Sequence, residues 1–427
     1  MDGVTLIVKP TVDCNLRCQY CYEGDSPYVG TRMSKETLRH GILKFVDHNA
    51  DVGETQFIWH GGEVLLMGQK FFEDICRVQD ERPNHRFHNC LQTNGTLLTE
   101  TMSNFFDKHN FSVGISIDGP AALHDLHRPY ANGNPSFSDS TRGLPLCRKP
   151  GPNGRRGYRL DSALAVMTRE TLNDLNSFYE YFSNRTLNVR INPVFYEGRG
   201  RTAKKTLGIS SVECSAALIW LFDRWMKDSS RSMRIEPFFE MIGNLVLGRA
   251  NGCVFQSDCF RRFLEIAPNG DVYPCTGSAS ATFLLGNVNS GIVDDMLHNG
   301  VLDTFEKARS VSIRQCRDCS YLNICNAGCI RKSYMRRKRL SDRDYYCGAY
   351  KAVYRHIDNW LQGELGADYR TAGIASALDT RNDLLCEVIK DRSAGAAGAN
   401  NCADLTDWGQ WSGNWASDWG NTYTSCY

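Results

Sequence analysis

No stretch of this sequence reaches the ~18 consecutive apolar residues that a membrane-spanning helix needs. The opening residues, MDGVTLIVKP, hold no apolar core long enough for a secretion signal. Charge imbalance is lacking too: 49 Lys and Arg stand against 48 Asp and Glu, a formal net charge of +1. Nothing global therefore points to nucleic acid or to a membrane surface. The one strongly basic run, RKSYMRRKRLSDR (331–343), reads as a solvated helix face. These absences lead to the expectation of a cytoplasmic protein without a nucleic-acid or membrane partner. Cysteine, by contrast, is abundant. Eighteen cysteines without a secretion signal argue against a disulfide scaffold, and in a reducing compartment clustered cysteines more often bind metal.

At 42% hydrophobic over 427 residues the chain has material for a large core, in roughly two to three domains or one barrel with additions. Apolar, β-branched runs recur at 4–8, 55–59, 86–93, 111–117, 160–168 and 187–195. Helix-like segments lie between most of them: 34–48, which opens on a capping serine, 68–79, 98–109 and 170–182. Alternation of this kind predicts parallel strands with crossover helices. Six such strands fit a partial (β/α)6 barrel, open on one side, with its chemistry in the loops after the strands. Residues 130–159, rich in Gly, Pro, Asn and Arg, read as a loop-dominated insertion with one short helix, and 211–227 as a strong helix. Cysteine density rises after Arg234. The expected division is 1–234 for the barrel, 235–363 for a cysteine-rich domain and 364–427 for a mobile, glycine-rich tail.

The stretch TVDCNLRCQYCYEG follows the first predicted strand, where a barrel keeps its site. It carries Cys14, Cys18 and Cys21 in the spacing Cys-x3-Cys-x2-Cys. Thiolates so placed can wrap one face of a [4Fe–4S] cube and leave its fourth iron open to another ligand. Spacing alone leaves a second option, a zinc site completed by a distant His or Cys. Tyr20 and Tyr22 flank the last cysteine, either to pack on an adenine or a cluster, or simply as core aromatics.

This motif resembles the radical S-adenosylmethionine (SAM) superfamily. In HGGEVLLMG, the residues Gly61, Gly62 and Glu63 resemble the segment that meets the SAM amino group, although Val64 stands where the family usually has Pro. LQTNG (91–95) and SIDGP (116–120) resemble the next two strand ends, and Ser116 matches a SAM-contacting position. The resemblance implies that a cluster on Cys14, Cys18 and Cys21 passes one electron to SAM. Cleavage of SAM then yields methionine and a 5′-deoxyadenosyl radical, which abstracts hydrogen from a substrate β-carbon. An electron donor such as flavodoxin or ferredoxin is implied as well.

Farther along come Cys253-x5-Cys259, Cys275, Cys316-x2-Cys319-x5-Cys325-x3-Cys329 and Cys347. Eight thiolates suffice for two further [4Fe–4S] clusters, whereas zinc ribbons would use Cys-x2-Cys pairs. The pattern, with LEIAPNGDVYPC (264–275) as a hairpin turning at Asn269-Gly270, resembles the SPASM extension of radical SAM enzymes that modify peptides and proteins. By that resemblance Cys253, Cys259, Cys275 and Cys329 hold one auxiliary cluster. Cys316, Cys319, Cys325 and Cys347 hold the other, giving three clusters in all. Cys76, Cys90, Cys147 and Cys214 read as small core residues.

The overall look is nearest to anaerobic sulfatase-maturating enzymes, which oxidise a Cys or Ser side chain to formylglycine. Those enzymes carry an Asp base directly after the cysteine matching Cys275. Here Thr276 stands there, and a threonine is no carboxylate base. The expectation therefore shifts to another peptide oxidation. The tail places Trp408, Trp411, Trp415 and Trp419 among glycines and asparagines. Their spacing also suits an amphipathic helix. Read as a ribosomal peptide core, the tail offers cyclophane closure at Trp408–Gln410, Trp415–Ser417 and Trp419–Asn421, with 377–391 as a leader-like helix. A lid or a docking segment is the other reading. The substrate is thus expected to be a peptide, the chain's own tail among the candidates.

Overall fold

The computed structural model describes residues 3–147, 160–228, 233–250, 252–275, 281–366 and 369. Thr276, the segment 377–391 and the tail tryptophans with their expected partners lie outside the described residues.

Six parallel strands run side by side in chain order: β1 (Thr5–Thr11), β2 (Glu54–Gly61), β3 (Arg86–Thr93), β4 (Phe111–Ser116), β5 (Leu160–Met167) and β6 (Val189–Pro193). Registers such as Leu6↔Phe57, Ile58↔Cys90, Leu91↔Val113 and Ala165↔Ile191 align their apolar centres. All seven residues of β1 are buried, as befits a strand covered on both faces. Crossover helices α1 (Lys35–His48), α2 (Gln69–Gln79) and α3 (Glu100–Lys108) cover the sheet. Ser34 caps α1 by accepting from the Thr37 N–H, and Thr99 caps α3 through the Met102 N–H. Phe72 of α2, Phe106 of α3 and Phe111 of β4 meet edge to face or tilted beneath them, with Phe72 and Phe106 centroids 4.9 Å apart.

One predicted helix divides. Residues 170–182 form Arg169–Asn173 and then α4 (Leu175–Ser183), because Asp174 leaves helical geometry and its carboxylate caps α4 through the Ser177 N–H. α5 (Ser211–Lys227) has the predicted bounds, opened by a Ser210–Glu213 capping box. The described part of the 130–159 insertion holds two short helices, Phe137–Arg142 and Leu144–Cys147, rather than one.

The sheet runs on past the six strands. β7 (Ile235–Glu236) adds beside β6 and leads into helix α6 (Phe238–Leu247). At the opposite edge β8 (Phe263–Ile266) pairs in parallel with β1. The antiparallel β9 (Asp271–Pro274) and β10 (Gly286–Asn287) follow it, making ten strands. Gly270 turns the β8–β9 hairpin at φ +92°, a left-handed conformation that suits glycine. The second half also carries α7 (Gly300–Arg314), α8 (Ile330–Arg337) and α9 (Cys347–Leu365), with shorter helical turns between them. α9 returns to the barrel and packs on α5, where Ser211 Oγ accepts from the Ala349 N–H at 2.7 Å and His356 meets Asp223 at 2.6 Å. Backbone pairing and helix packing thus join the two halves. Cys214 is a buried core thiol and Cys76 a half-buried one, as expected. Cys90 departs from expectation: it is buried but disulfide-bonded. No described helix is long and apolar enough to cross a membrane.

Candidate active site

Behind the strand ends lies a cavity of about 560 Å³. Cys14, Cys18 and Cys21 line it, as do Cys253, Cys275 and Cys329 from the second half. Gly61, Gly62, Ser116, Tyr20 and Tyr22 also contribute to the wall. The architecture therefore gathers residues from both halves around one space.

Backbone contacts shape the three-cysteine loop. The Gly62 N–H donates to Thr11 O at 3.0 Å and the Glu63 N–H to Asp13 O at 2.8 Å. The end of β2 thereby presses on the start of the loop. A Cβ at Gly62 would lie 2.2 Å from Asp13 O and 2.3 Å from Val12 O, and Gly61 adopts φ +123°. Only glycine fits this approach. Gly62→Ala is expected to push the loop out of place and cut SAM turnover by about 10²-fold, as ångström-scale misplacement does. SAM binding by equilibrium dialysis, with 5′-deoxyadenosine release, checks this.

Glu63 is wholly buried and accepts from the Thr93 hydroxyl at 2.7 Å and from the Asn94 and Leu65 N–H groups at 2.7 and 3.0 Å. Its carboxylate ties β2 to β3, and Glu63 is not among the residues lining the cavity. Burial pushes its pKa up, while those hydrogen bonds oppose the rise. Ser116 Oγ accepts from Gln92 Nε2 at 2.9 Å. Tyr22 Oη lies 3.5 Å from His60 Nε2, and the Arg331 guanidinium covers its ring at 4.6 Å.

Several residues in the wall or directly behind it carry no sequence signal of their own. Asp118 is fully buried at the end of β4 and grips Arg128 through two bonds of 3.0 Å. It also accepts from the Tyr20 hydroxyl and the Val166 N–H. Arg128 lies over the Tyr20 ring, and the Arg17 and Gln19 N–H groups donate to Pro129 O and His127 O. Arg199 holds the loop from the other side, through Nε to Cys18 O at 2.9 Å and its N–H to Cys21 O at 3.0 Å. Asp118 sits inside the strand-end motif SIDGP, the one available hint. The basic run corrects the sequence reading. Arg331 and Lys332 are buried in the cavity wall, not on a solvated face, with Arg331 paired to Glu197 at 2.9 Å and Lys332 donating to Tyr350 at 2.7 Å.

The cysteines suit a cationic metal body. Burial pushes Cys18 up to about 12 and raises Cys14 and Cys21 as well, so these thiols need a bound cation to become thiolates. Arg128 and Arg199 oppose the rise at Cys18. Among the described residues no group of three or more His, Cys, Asp or Glu closes around a single metal ion. Cys253 hydrogen-bonds Cys259 and feels Cys275 and Cys329, while Cys325 feels Cys347, Cys316 and Cys319. Within each expected auxiliary set the thiols thus act on one another. Asp344 stands between them, accepting from the Cys329 and Tyr346 N–H groups at 2.9 and 2.7 Å.

Comparison with known proteins decides the family. Residues 8–181 match the radical SAM superfamily, and residues 258–320 match the SPASM iron–sulfur cluster-binding domain. The chain is a radical SAM protein with a SPASM domain. This radical SAM protein is 27% identical over 370 residues to a cysteine-type anaerobic sulfatase-maturating enzyme of Clostridium perfringens, covering 83% of this chain and 96% of the relative. A serine-type anaerobic sulfatase-maturating enzyme of Bacteroides thetaiotaomicron is 28% identical over 408 residues, covering 87% and 94%. The solved structure of anSMEcpe with bound AdoMet superposes with TM-score 0.74 at 26% identity, covering 84% of this chain and 99% of that one. A further structure of anSMEcpe, with AdoMet and the Kp18Cys peptide, gives 0.75 at 27% identity, covering 85% and 99%.

Proposed function

We propose that this radical SAM protein oxidises a Cys or Ser side chain of a protein or peptide to formylglycine. The observation that carries the reading is its extent: likeness to both sulfatase-maturating types spans the barrel and the auxiliary half together. The cavity supports it, since the same walls hold the three-cysteine loop and Cys253, Cys275 and Cys329. This reading takes the place of cyclophane formation as the main one.

On this proposal Cys14, Cys18 and Cys21 hold one [4Fe–4S] cluster and the two auxiliary sets hold one each. The first cluster, with SAM, supplies the 5′-deoxyadenosyl radical. Gly61 and Gly62 leave room for SAM against the strand ends, with Ser116, Tyr20 and Tyr22 on its flanks. Residues 1–234 do this work, 235–363 carry the auxiliary clusters, and 364–427 form the tail. The substrate side chain loses a hydrogen atom from Cβ, then a proton from Sγ or Oγ and a second electron. Ser thereby becomes the aldehyde directly, whereas Cys becomes a thioaldehyde that water converts to the aldehyde with release of hydrogen sulfide. Thr276 cannot take that proton as a carboxylate does. The carboxylates on the described wall are Asp13 and Glu23, and Glu23 is already paired to Lys9 at 2.5 Å.

Thr276 and the tryptophan spacing favour a second reading, ring closure at Trp408–Gln410, Trp415–Ser417 or Trp419–Asn421. One experiment separates the two. Reconstituted protein, SAM and reductant are incubated with a sulfatase-type peptide bearing Cys or Ser. A hydrazide-trapped aldehyde is the expected product. Absence of aldehyde, together with new cross-links in the tail by tandem mass spectrometry, would install ring closure instead.

A further inference from the structure

One buried cation of the second half plays no part in the cavity wall. Arg309 of α7 is 3% exposed. Its Nη1 donates to Asn326 O and to Gly328 O, each at 2.8 Å. Its Nε and Nη2 meet no nitrogen or oxygen acceptor among the described residues. A guanidinium buried in that state is costly, because those donors have lost water and gained nothing in return. Arginine cannot escape the cost by giving up its proton. The two nitrogens therefore call for an acceptor of another kind.

The carbonyls that Arg309 grips lie where the chain crosses between the expected auxiliary sets. Cys325 belongs to the second set and Cys329 to the first. Between them Asn326, Ala327 and Gly328 all adopt left-handed backbone, with φ of +48°, +68° and +76°. That conformation is costly for the two residues that carry a Cβ, so the turn needs outside support. Arg309 takes the first and third carbonyls, and the Asp344 N–H takes the second, Ala327 O, at 3.0 Å. Asn326 Nδ2 donates to Phe255 O at 2.9 Å, in the loop between Cys253 and Cys259. The charge of Arg309 reaches both sets. Cys259 is held below the ordinary thiol value by its hydrogen bond with Cys253 and, against burial, by the charge and a hydrogen bond of Arg309. Burial raises Cys316, and Arg309 is among the cations that oppose the rise.

We propose that Arg309 is a positioning residue shared by the two auxiliary clusters. Nη1 fixes the turn that sends Cys325 to one set and Cys329 to the other. Nε and Nη2 donate to sulfur on the Cys259 side of the first cluster. The inference rests on the cluster assignment of the proposed function. A cluster held by four thiolates carries negative charge, which accounts for a cation buried at this place. Hydrogen bonds to the sulfurs and a fixed positive charge favour the more negative, reduced state, so they raise the reduction potential. The potential bears on the reaction because Cys253, Cys275 and Cys329 of this set line the cavity in which the substrate is oxidised.

The test uses the full chain after anaerobic reconstitution, with alanine at Cys14, Cys18 and Cys21 so that only the auxiliary clusters report. Iron is counted, and midpoint potentials are read by redox titration followed by electron paramagnetic resonance. Arg309→Met removes the charge and the donors at similar length. One auxiliary midpoint should fall by at least a tenfold change in its reduction equilibrium, about 59 mV for one electron, and the other should move less. Arg309→Lys keeps the charge and loses the fork, so the same midpoint should fall by a smaller factor, at least twofold. If Arg309→Met fails to hold iron, Arg309→Lys carries the test by the same reading. Both midpoints unmoved from the parent, in a variant that retains its iron, would overturn the proposal. A parent chain without auxiliary iron would overturn the cluster reading itself, a different failure from an unmoved potential.

Discussion

Alanine at Cys14, Cys18 and Cys21 together is expected to abolish SAM cleavage and to remove about four of the roughly twelve irons that the three proposed clusters would hold. The site explains why the loss should be complete rather than partial. The three thiols sit on one short loop clamped by Gly62, Arg128 and Arg199, and burial raises all three. No described His, Cys, Asp or Glu group stands ready to close around a substitute ion. Iron analysis and 5′-deoxyadenosine quantification after anaerobic reconstitution read the result. The auxiliary sets use other cysteines, so their eight or so irons should remain. Zinc recovered in place of iron, or cleavage surviving in the variant, would sink the assignment.

Much of this site was legible because its chemistry is local in sequence. Three cysteines within one loop, two glycines at the next strand end and the Asn269-Gly270 hairpin are short-range patterns, and the structure sets each at a strand end. Strand β3 and helix α5 were readable for the same reason: apolar periodicity and capping residues act over a few positions. What stayed hidden is long-range. Lys9 looks like any polar residue in a β-branched run, yet the parallel pairing of β1 with β8 brings Glu265 to it from the other half of the chain. Arg331 and Lys332 sit in the most basic stretch of the sequence. Composition assigns that stretch to solvent, and only the packing of α8 against the cavity turns its first two residues inward. Glu63 shows the reverse case. A motif named the residue, and its side chain accepts from Thr93 and Asn94 at the end of β3 and from Leu65 just after β2.

Lys9→Met is expected to destabilise the folded chain by about 3–5 kcal/mol, the range for breaking a buried ion pair from one side. Lys9 is 1% exposed and lies 2.5 Å from Glu23 and 2.8 Å from Glu265. Burial would lower its pKa, but the two carboxylates raise it above the ordinary lysine value, so the ammonium stays charged. Three elements meet at this ammonium: β1, the turn Tyr22–Asp25 that follows Cys21, and β8 of the auxiliary hairpin. Removing it leaves two buried carboxylates facing each other without a counter-ion. Their pKa values in the folded variant should rise above the unfolded ones, so the folded state binds more protons. Stability of Lys9→Met should therefore fall as pH rises through the carboxylate range and recover on acidification. Adding Glu265→Gln to the variant removes one of the two charges and should restore a good part of the loss. Thermal melts of the three proteins between mildly acidic and neutral pH decide it. A Lys9→Met protein as stable as wild type at neutral pH, with no gain on acidification, would show that the triad does not join the cysteine loop to the auxiliary half.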